Sequence, residues 1–150
     1  MRVKNLIATF ALVLVGGTAA LAAGPRVVKI EGTDKMQYSV TKIEAKPGEQ
    51  IKIELSAKGT MAKAEMAHNF ILLAKGANVD AFVMAAAMAR KTQHVPAAKK
   101  ADMLAYTALA GNGETVTVTF EAPKEPGEYT YICSFPGHYA AGMKGVLIVK

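Results

Sequence analysis

From Arg26 onward the chain is cut into short runs of alternating apolar and polar residues, separated by turn signals. In "TKIEAKPGEQIKIEL" the turn is Pro47-Gly48, and in "FEAPKEPGEYTYIC" it is Pro126-Gly127. A period of two sends successive side chains to opposite faces of a strand, so each run carries one apolar face that must be covered. The runs fall at Arg26–Glu31, Tyr38–Glu44, Gln50–Ser56, His68–Ala74, Thr115–Glu121, Glu128–Cys133 and Lys144–Val149. Short strands at such spacing cover one another as two packed sheets, which predicts an all-β fold, a Greek-key β-sandwich.

One region breaks the alternation. Residues Asn78 to Lys91, "NVDAFVMAAAMARK", place Val79, Phe82, Val83 and Ala86 at helical spacing. Asn78 serves as N-cap, Asp80 lies in the first turn, and Arg90 and Lys91 lie near the end, where the helix dipole favours cations. The sandwich is therefore expected to carry one inserted α-helix, with Met84 and Met88 packing on it. The following "TQHVPAAKKADMLAYTALAGNGE" reads as loop until a short strand at Leu104–Ala110. "GNGETV" imitates a dinucleotide-binding loop, but it lacks the third glycine and leads into a strand, so it reads as a turn.

The N-terminus has a different logic. Arg2 and Lys4 precede an apolar run from Leu6 to Val15, and small residues follow up to Ala20-Leu21-Ala22. These are the three parts of a secretory signal, and Gly16-Gly17-Thr18 interrupts the run too early for a membrane span. Residues 1–22 are expected to be a cleaved signal peptide and residues 23–150 the mature domain, exported to the periplasm and without a membrane span. Losing Arg2 and Lys4 lowers the formal charge from +6 by two, on a mature chain of about 128 residues that can bury one core. The remaining cations are scattered, with no block of like charge and no interleaved aromatics, which argues against nucleic acid.

An exported chain meets disulfide-forming conditions, yet this one has a single cysteine, Cys133. A lone thiol is a buried core residue, an intermolecular crosslink, a leftover, or a ligand; its neighbours favour the last. In "CSFPGHYAAGM" the thiol of Cys133 is followed by the imidazole of His138 and the thioether of Met143. The span connects two strands, so one loop presents all three groups. Soft sulfur selects copper(I), imidazole suits both copper oxidation states, and two His, one Cys and a distant Met form the blue-copper electron-transfer set. His68, at the start of the apolar run "HNFILLA", supplies the second imidazole; His94, among polar residues after the helix, reads as a surface histidine.

"CSFPGHYAAGM", "AHNFIL" and "GEYTYIC" resemble the cupredoxins, and the helix-bearing insertion between His68 and Cys133 is similar to the azurin and auracyanin branch. "GTDKMQY" and "ALAGNGETVTVTF" extend the resemblance over nearly all of the mature chain. It implies a cupredoxin-like sandwich holding one type 1 copper, with His68, Cys133 and His138 as strong ligands and Met143 as a weak axial one. It also implies a backbone carbonyl from Ala67, where azurins have glycine, and a supporting asparagine, Asn69, tying the two ligand segments together. The loop departs from azurins in placing Met143 one position later, and the disulfide usual in azurins has no counterpart. Tyr129 and Tyr131 share the strand face of Cys133 and are expected to pack in the core beneath the metal.

The implied function is single-electron transfer by Cu(I)/Cu(II) cycling, without catalysis. Partners are expected among redox proteins such as c-type cytochromes or a terminal reductase or oxidase. They would dock where His138 emerges among Met66, Phe135, Pro136, Gly137, Ala140 and Ala141, with Lys63 or Lys144 steering acidic partners. The rival readings are an enzyme, for which too few histidines remain to build a second copper centre, and a periplasmic copper chaperone or storage protein. The latter would favour exposed, exchangeable Met and His groups.

Overall fold

A computed structural model describes residues 24–150. The signal peptide expected at residues 1–22 lies outside the described residues. Among the described residues nine strands form two sheets. One is four-stranded, in the order β2-β1-β4-β7, from β1 (Arg26–Thr33), β2 (Gln37–Tyr38), β4 (Gln50–Lys58) and β7 (Thr115–Glu121). The other is five-stranded, in the order β3-β9-β8-β5-β6, from β3 (Lys42–Ala45), β5 (Ile71–Leu73), β6 (Met103–Tyr106), β8 (Gly127–Ile132) and β9 (Lys144–Val149). β1 pairs in parallel with β4 and β3 with β9, while β8 and β9 are antiparallel neighbours joined by the loop carrying Cys133, His138 and Met143.

Burial follows the alternation. In β4, Ile51, Ile53, Leu55 and Ala57 point inward between partly or fully exposed polar neighbours. Ile51, Ile53 and Leu55 meet Phe70 and, from the opposite sheet, Leu72, Tyr129, Tyr131 and Leu147 in the main core, which also contains Cys133 and Met143. Tyr129 and Tyr131 thus pack in the core, and Tyr131 anchors itself by donating its hydroxyl to the Val40 carbonyl at 2.7 Å.

The run Tyr38–Glu44 is two strands, one in each sheet. Tyr38 ends β2, the chain crosses the edge of the sandwich, and Lys42 begins β3. The apolar run after His68 is strand only over Ile71–Leu73; His68 itself forms an isolated bridge with Ala110. β8 ends at Ile132, one residue before the thiol. The strand expected at Leu104–Ala110 covers Met103–Tyr106 instead, because Thr107 leaves the ladder to bond both ways with Phe70.

The helix α1 spans Val79–Met88, and the Asn78 side chain caps it by accepting from the Ala81 amide at 2.9 Å. Phe82 and Ala86 are buried with Ile71, Leu73 and Ile132, forming a second small core on the outer face of the five-stranded sheet. Two expectations fail here. Arg90 and Lys91 lie beyond the helix, in a 3-10 turn at Arg90–Thr92. Met84 and Met88 are 73% and 86% exposed. They lie on the face turned away from the sheet and belong to neither core.

Candidate metal centre

Three parts of the chain converge at one end of the sandwich. The segment Ala67-His68-Asn69 is held to its neighbour by paired backbone bonds between His68 and Ala110, at 2.9 and 2.8 Å. The β8–β9 loop closes on itself: the Cys133 amide donates to the Met143 carbonyl at 3.1 Å, and the Met143 amide to the His138 carbonyl at 2.9 Å. Gly137 and Gly142 take positive φ, +85° and +96°, at the turns flanking His138, a backbone region that side chains rarely adopt. The third part, the stretch after α1, reaches the loop through Ser134.

The potential ligand atoms of His68, Cys133 and His138 lie within 4.8 Å of one another, and all three residues are buried. His138 Nδ1 stands 3.4 Å from Cys133 Sγ, and the two imidazoles are 5.0 Å apart between ring centroids. Met143 is fully buried in the same core cluster as Cys133. The Ala67 carbonyl faces the thiol, with Sγ 3.9 Å from the oxygen. The fold thus brings His68, Cys133 and His138 together at one end of the sandwich, with Met143 in the same core cluster as Cys133.

The electrostatics suit a cation that binds neutral imidazole and thiolate. Burial pushes the Cys133 thiol up to about 12, while the backbone amides of Asn69 and Phe135 pull the other way. Burial, with repulsion from His68, lowers His138 to about 4. His68 is lowered too, by burial, against a weak opposing pull from Asp34. Both rings are thus uncharged near neutral pH and offer lone pairs. His68 Nδ1 is the only buried side-chain polar atom among the described residues with no hydrogen-bond partner. Such an orphan costs about 1–3 kcal/mol unless something binds it. A copper ion would satisfy it, and the S/N donor set matches that metal.

Support for the ligands comes from groups the sequence exposed unevenly. Asn69 accepts from the Ser134 amide at 2.9 Å and donates to the Ser134 hydroxyl at 2.9 Å, tying the His68 segment to the β8–β9 loop. Ser134, given no role from sequence, donates its hydroxyl to the His94 carbonyl at 2.7 Å. Tyr38 donates its hydroxyl to the Asn69 carbonyl. Gly32, in β1, leaves room for the His68 ring: a Cβ there would lie 2.8 Å from two ring carbons. Glycine in a strand is itself a sign of close approach, but nothing in the sequence says what approaches.

Two histidines depart from expectation. His94 is 9% exposed rather than a surface residue, because it folds back onto α1 and donates through Nδ1 to the Ala86 carbonyl, 2.9 Å away. His138 does not emerge: it is 1% exposed, with the Phe135 ring 4.9 Å from it. Pro136, Gly137, Ala140 and Ala141 around it are partly or fully exposed, while Met66 is largely buried.

Comparison with known proteins agrees with this geometry. The family described as copper binding proteins, plastocyanin/azurin family, matches residues 26–150. Azurin of Achromobacter denitrificans is 37% identical over 143 residues, covering 93% of this chain and 95% of that protein. Auracyanin-B of Chloroflexus aurantiacus is 47% identical over 83 residues, 55% of this chain and 35% of that protein. The crystal structure of reduced auracyanin from Roseiflexus castenholzii superimposes with a TM-score of 0.73 at 29% identity, over 85% of this chain and 99% of that one. A buried His, Cys and His set on a Greek-key sandwich, in a chain with these relatives, belongs to the plastocyanin/azurin family of copper-binding proteins, the cupredoxins, and its cofactor is copper.

Proposed function

We propose that this chain is an exported single-electron carrier in which His68, Cys133 and His138 hold copper, Met143 adds a weak thioether contact and the Ala67 carbonyl faces the same cleft. The observation that carries the reading is the orphaned, buried Nδ1 of His68 beside a thiol and a second neutral imidazole. When bound, copper supplies a one-electron Cu(I)/Cu(II) couple. The chain's own residues do the rest. Cys133 gives up its thiol proton on metal binding, since thiolate rather than thiol is the ligand. The Asn69–Ser134 pair and the Cys133–Met143 backbone bond hold the ligands in one arrangement for both charge states, which keeps rearrangement small. Phe135 and the buried walls exclude water, and surroundings of this kind tune a metal's potential.

Export follows from the signal-like residues 1–22, with 23–150 as the mature periplasmic domain; among the described residues no helix is long and apolar enough to cross a membrane. Partners such as c-type cytochromes or a terminal reductase or oxidase would dock on the exposed apolar surface of Pro136, Gly137, Ala140 and Ala141. Electrons then cross the thin cover over His138 rather than a protruding ring edge. Of the two cations considered for steering, Lys63 is engaged by Glu114 at 2.7 Å, whereas Lys144 lies over the Tyr139 ring beside the loop. Storage or chaperoning, which calls for exchangeable ligands, fits poorly with ligands buried this deeply.

The test is optical. Copper(II) added to the purified metal-free protein should produce intense visible thiolate-to-copper absorption that ascorbate bleaches and ferricyanide restores over repeated cycles. A colourless complex, or a colour that does not return, would defeat the carrier reading.

A further inference from the structure

We propose that His94 is a positioning residue for the copper site: it fixes a backbone carbonyl that holds Ser134, and through Ser134 and Phe135 the ligand loop. The inference rests on the copper reading above and deepens it. The stretch after α1 touches both ligand segments. Gln93 accepts from the Leu109 amide at 3.2 Å, next to the Ala110 that bridges His68. His94 offers its carbonyl to the Ser134 hydroxyl at 2.7 Å, next to Cys133.

That carbonyl points where it does because Gln93 and His94 both adopt left-handed backbone, φ 53° and 62°. Side-chain-bearing residues in this region persist only when surrounding contacts over-determine them. Here the contacts belong to His94. Its amide donates to the Ala89 carbonyl at 2.9 Å, and its Nδ1 bonds to the Ala86 carbonyl of α1 at 2.9 Å. The same ring meets Phe135 edge-on at 5.4 Å, and Phe135 lies 4.9 Å from His138. A continuous row of rings therefore runs from the insertion through Phe135 and His138 to His68. None of these contacts makes His94 a ligand; the one that bears on where the ligands sit is the Nδ1 anchor that fixes the carbonyl holding Ser134.

Three single variants and one double variant test this: His94→Ala, His94→Asn, Ser134→Ala and His94→Ala/Ser134→Ala. Asparagine tolerates left-handed backbone and places an amide nitrogen near the position of Nδ1, so it keeps the anchor and loses the ring. In the metal-free protein, amide hydrogen exchange at Ser134 and Phe135 should rise about tenfold or more in His94→Ala. In the copper-loaded protein, extraction by EDTA should quicken about tenfold, the size typical of losing a group that supports a metal ligand. His94→Asn should bring both rates back to within about twofold of wild type. The double variant should be no worse than Ser134→Ala alone.

A folded His94→Ala protein that exchanges and loses copper like wild type overturns the proposal. So does an asparagine variant no better than alanine, or a double variant in which the two losses multiply. Should His94→Ala fail to fold, Ser134→Ala must still quicken extraction, and its failure to do so overturns the proposal as well. If wild type shows no visible band with copper(II), the copper reading fails, while exchange in the metal-free protein still decides the role of His94.

Discussion

Two buried histidines, His68 and His94, stand on either side of the copper loop and are treated oppositely by the fold. His94 is satisfied from within: its Nδ1 bonds to a helix carbonyl and its ring packs on Phe135. His68 is 1% exposed, and its Nδ1 has no partner at all. Burial alone therefore does not mark a ligand, and neither does residue type. What separates the two is whether the fold gives the ring's Nδ1 a protein partner, as the Ala86 carbonyl does for His94, or leaves it without one, as in His68. A satisfied histidine stabilises the metal-free protein, whereas an unsatisfied one destabilises it and is repaid on metal binding.

The largest expected effect breaks the comparison at its centre. Cys133→Ser removes the only thiolate, so the visible absorption that copper(II) gives wild type should vanish entirely, although serine fits the site. Retention of the full band by this variant would show that the thiol is not the ligand and that the free nitrogen of His68 serves something else.

The next prediction sharpens the contrast through stability. In metal-free protein, His94→Ala should cost about 2 kcal/mol, having lost a hydrogen bond and ring packing, while His68→Ala should cost about 1 kcal/mol because it also removes an unsatisfied group. Copper at a thousandfold excess over its dissociation constant adds about 4 kcal/mol to a protein that binds it. Under copper the order should therefore reverse, His68→Ala becoming the less stable of the two. Thermal unfolding of both variants with and without copper checks this, and an unchanged order would count against His68 as a ligand.

A smaller effect comes from the wall behind His68. Gly32→Ala would place a Cβ 2.8 Å from the imidazole carbons, so the ring must shift or β1 must yield. Overpacking of this kind costs about 1–3 kcal/mol. Because the ring is displaced, the copper absorption should change in position or intensity, while His94→Asn leaves it close to wild type.

These contrasts explain how much was legible beforehand. The sandwich was readable because alternation encodes burial locally: each of Ile51, Ile53 and Leu55 announces its face beside a polar neighbour. Cys133, His138 and Met143 were readable because they share one loop and their chemistry is narrow; His68 was readable because a histidine opening an apolar run is unusual. The sequence misjudged His94 because its burial depends on two left-handed residues folding it onto α1, a tertiary event that polar neighbours conceal. It misjudged the exposure of His138 because Phe135, seen as part of the same surface, lies against the ring instead. It passed over Gly32 because nothing in β1 reveals the ring that packs there. Ser134 lay within the recognised loop, but its hydroxyl acquires meaning only when Asn69 and the His94 carbonyl arrive from elsewhere.

The smallest effect concerns pH. His138 titrates near 6.5 when unfolded and at about 4 when folded, its fall caused first by burial and then by repulsion from His68. Between those values the unfolded chain binds a proton that the folded chain refuses, so acid favours unfolding. The stability of the metal-free protein should be constant above about pH 6.5 with respect to this group, decline as pH falls to about 4, and decline no further on its account below that. His68, lowered in the same direction, adds to the decline. Copper competes with protons for the same nitrogens, so the loaded protein should hold its unfolding temperature to lower pH than the metal-free form. A His68→Ala protein should show a shallower decline, having lost one of the two rings and the repulsion it exerts on the other. If instead the profiles of His68→Ala and wild type coincide, the His68 ring neither takes part in the decline nor repels His138.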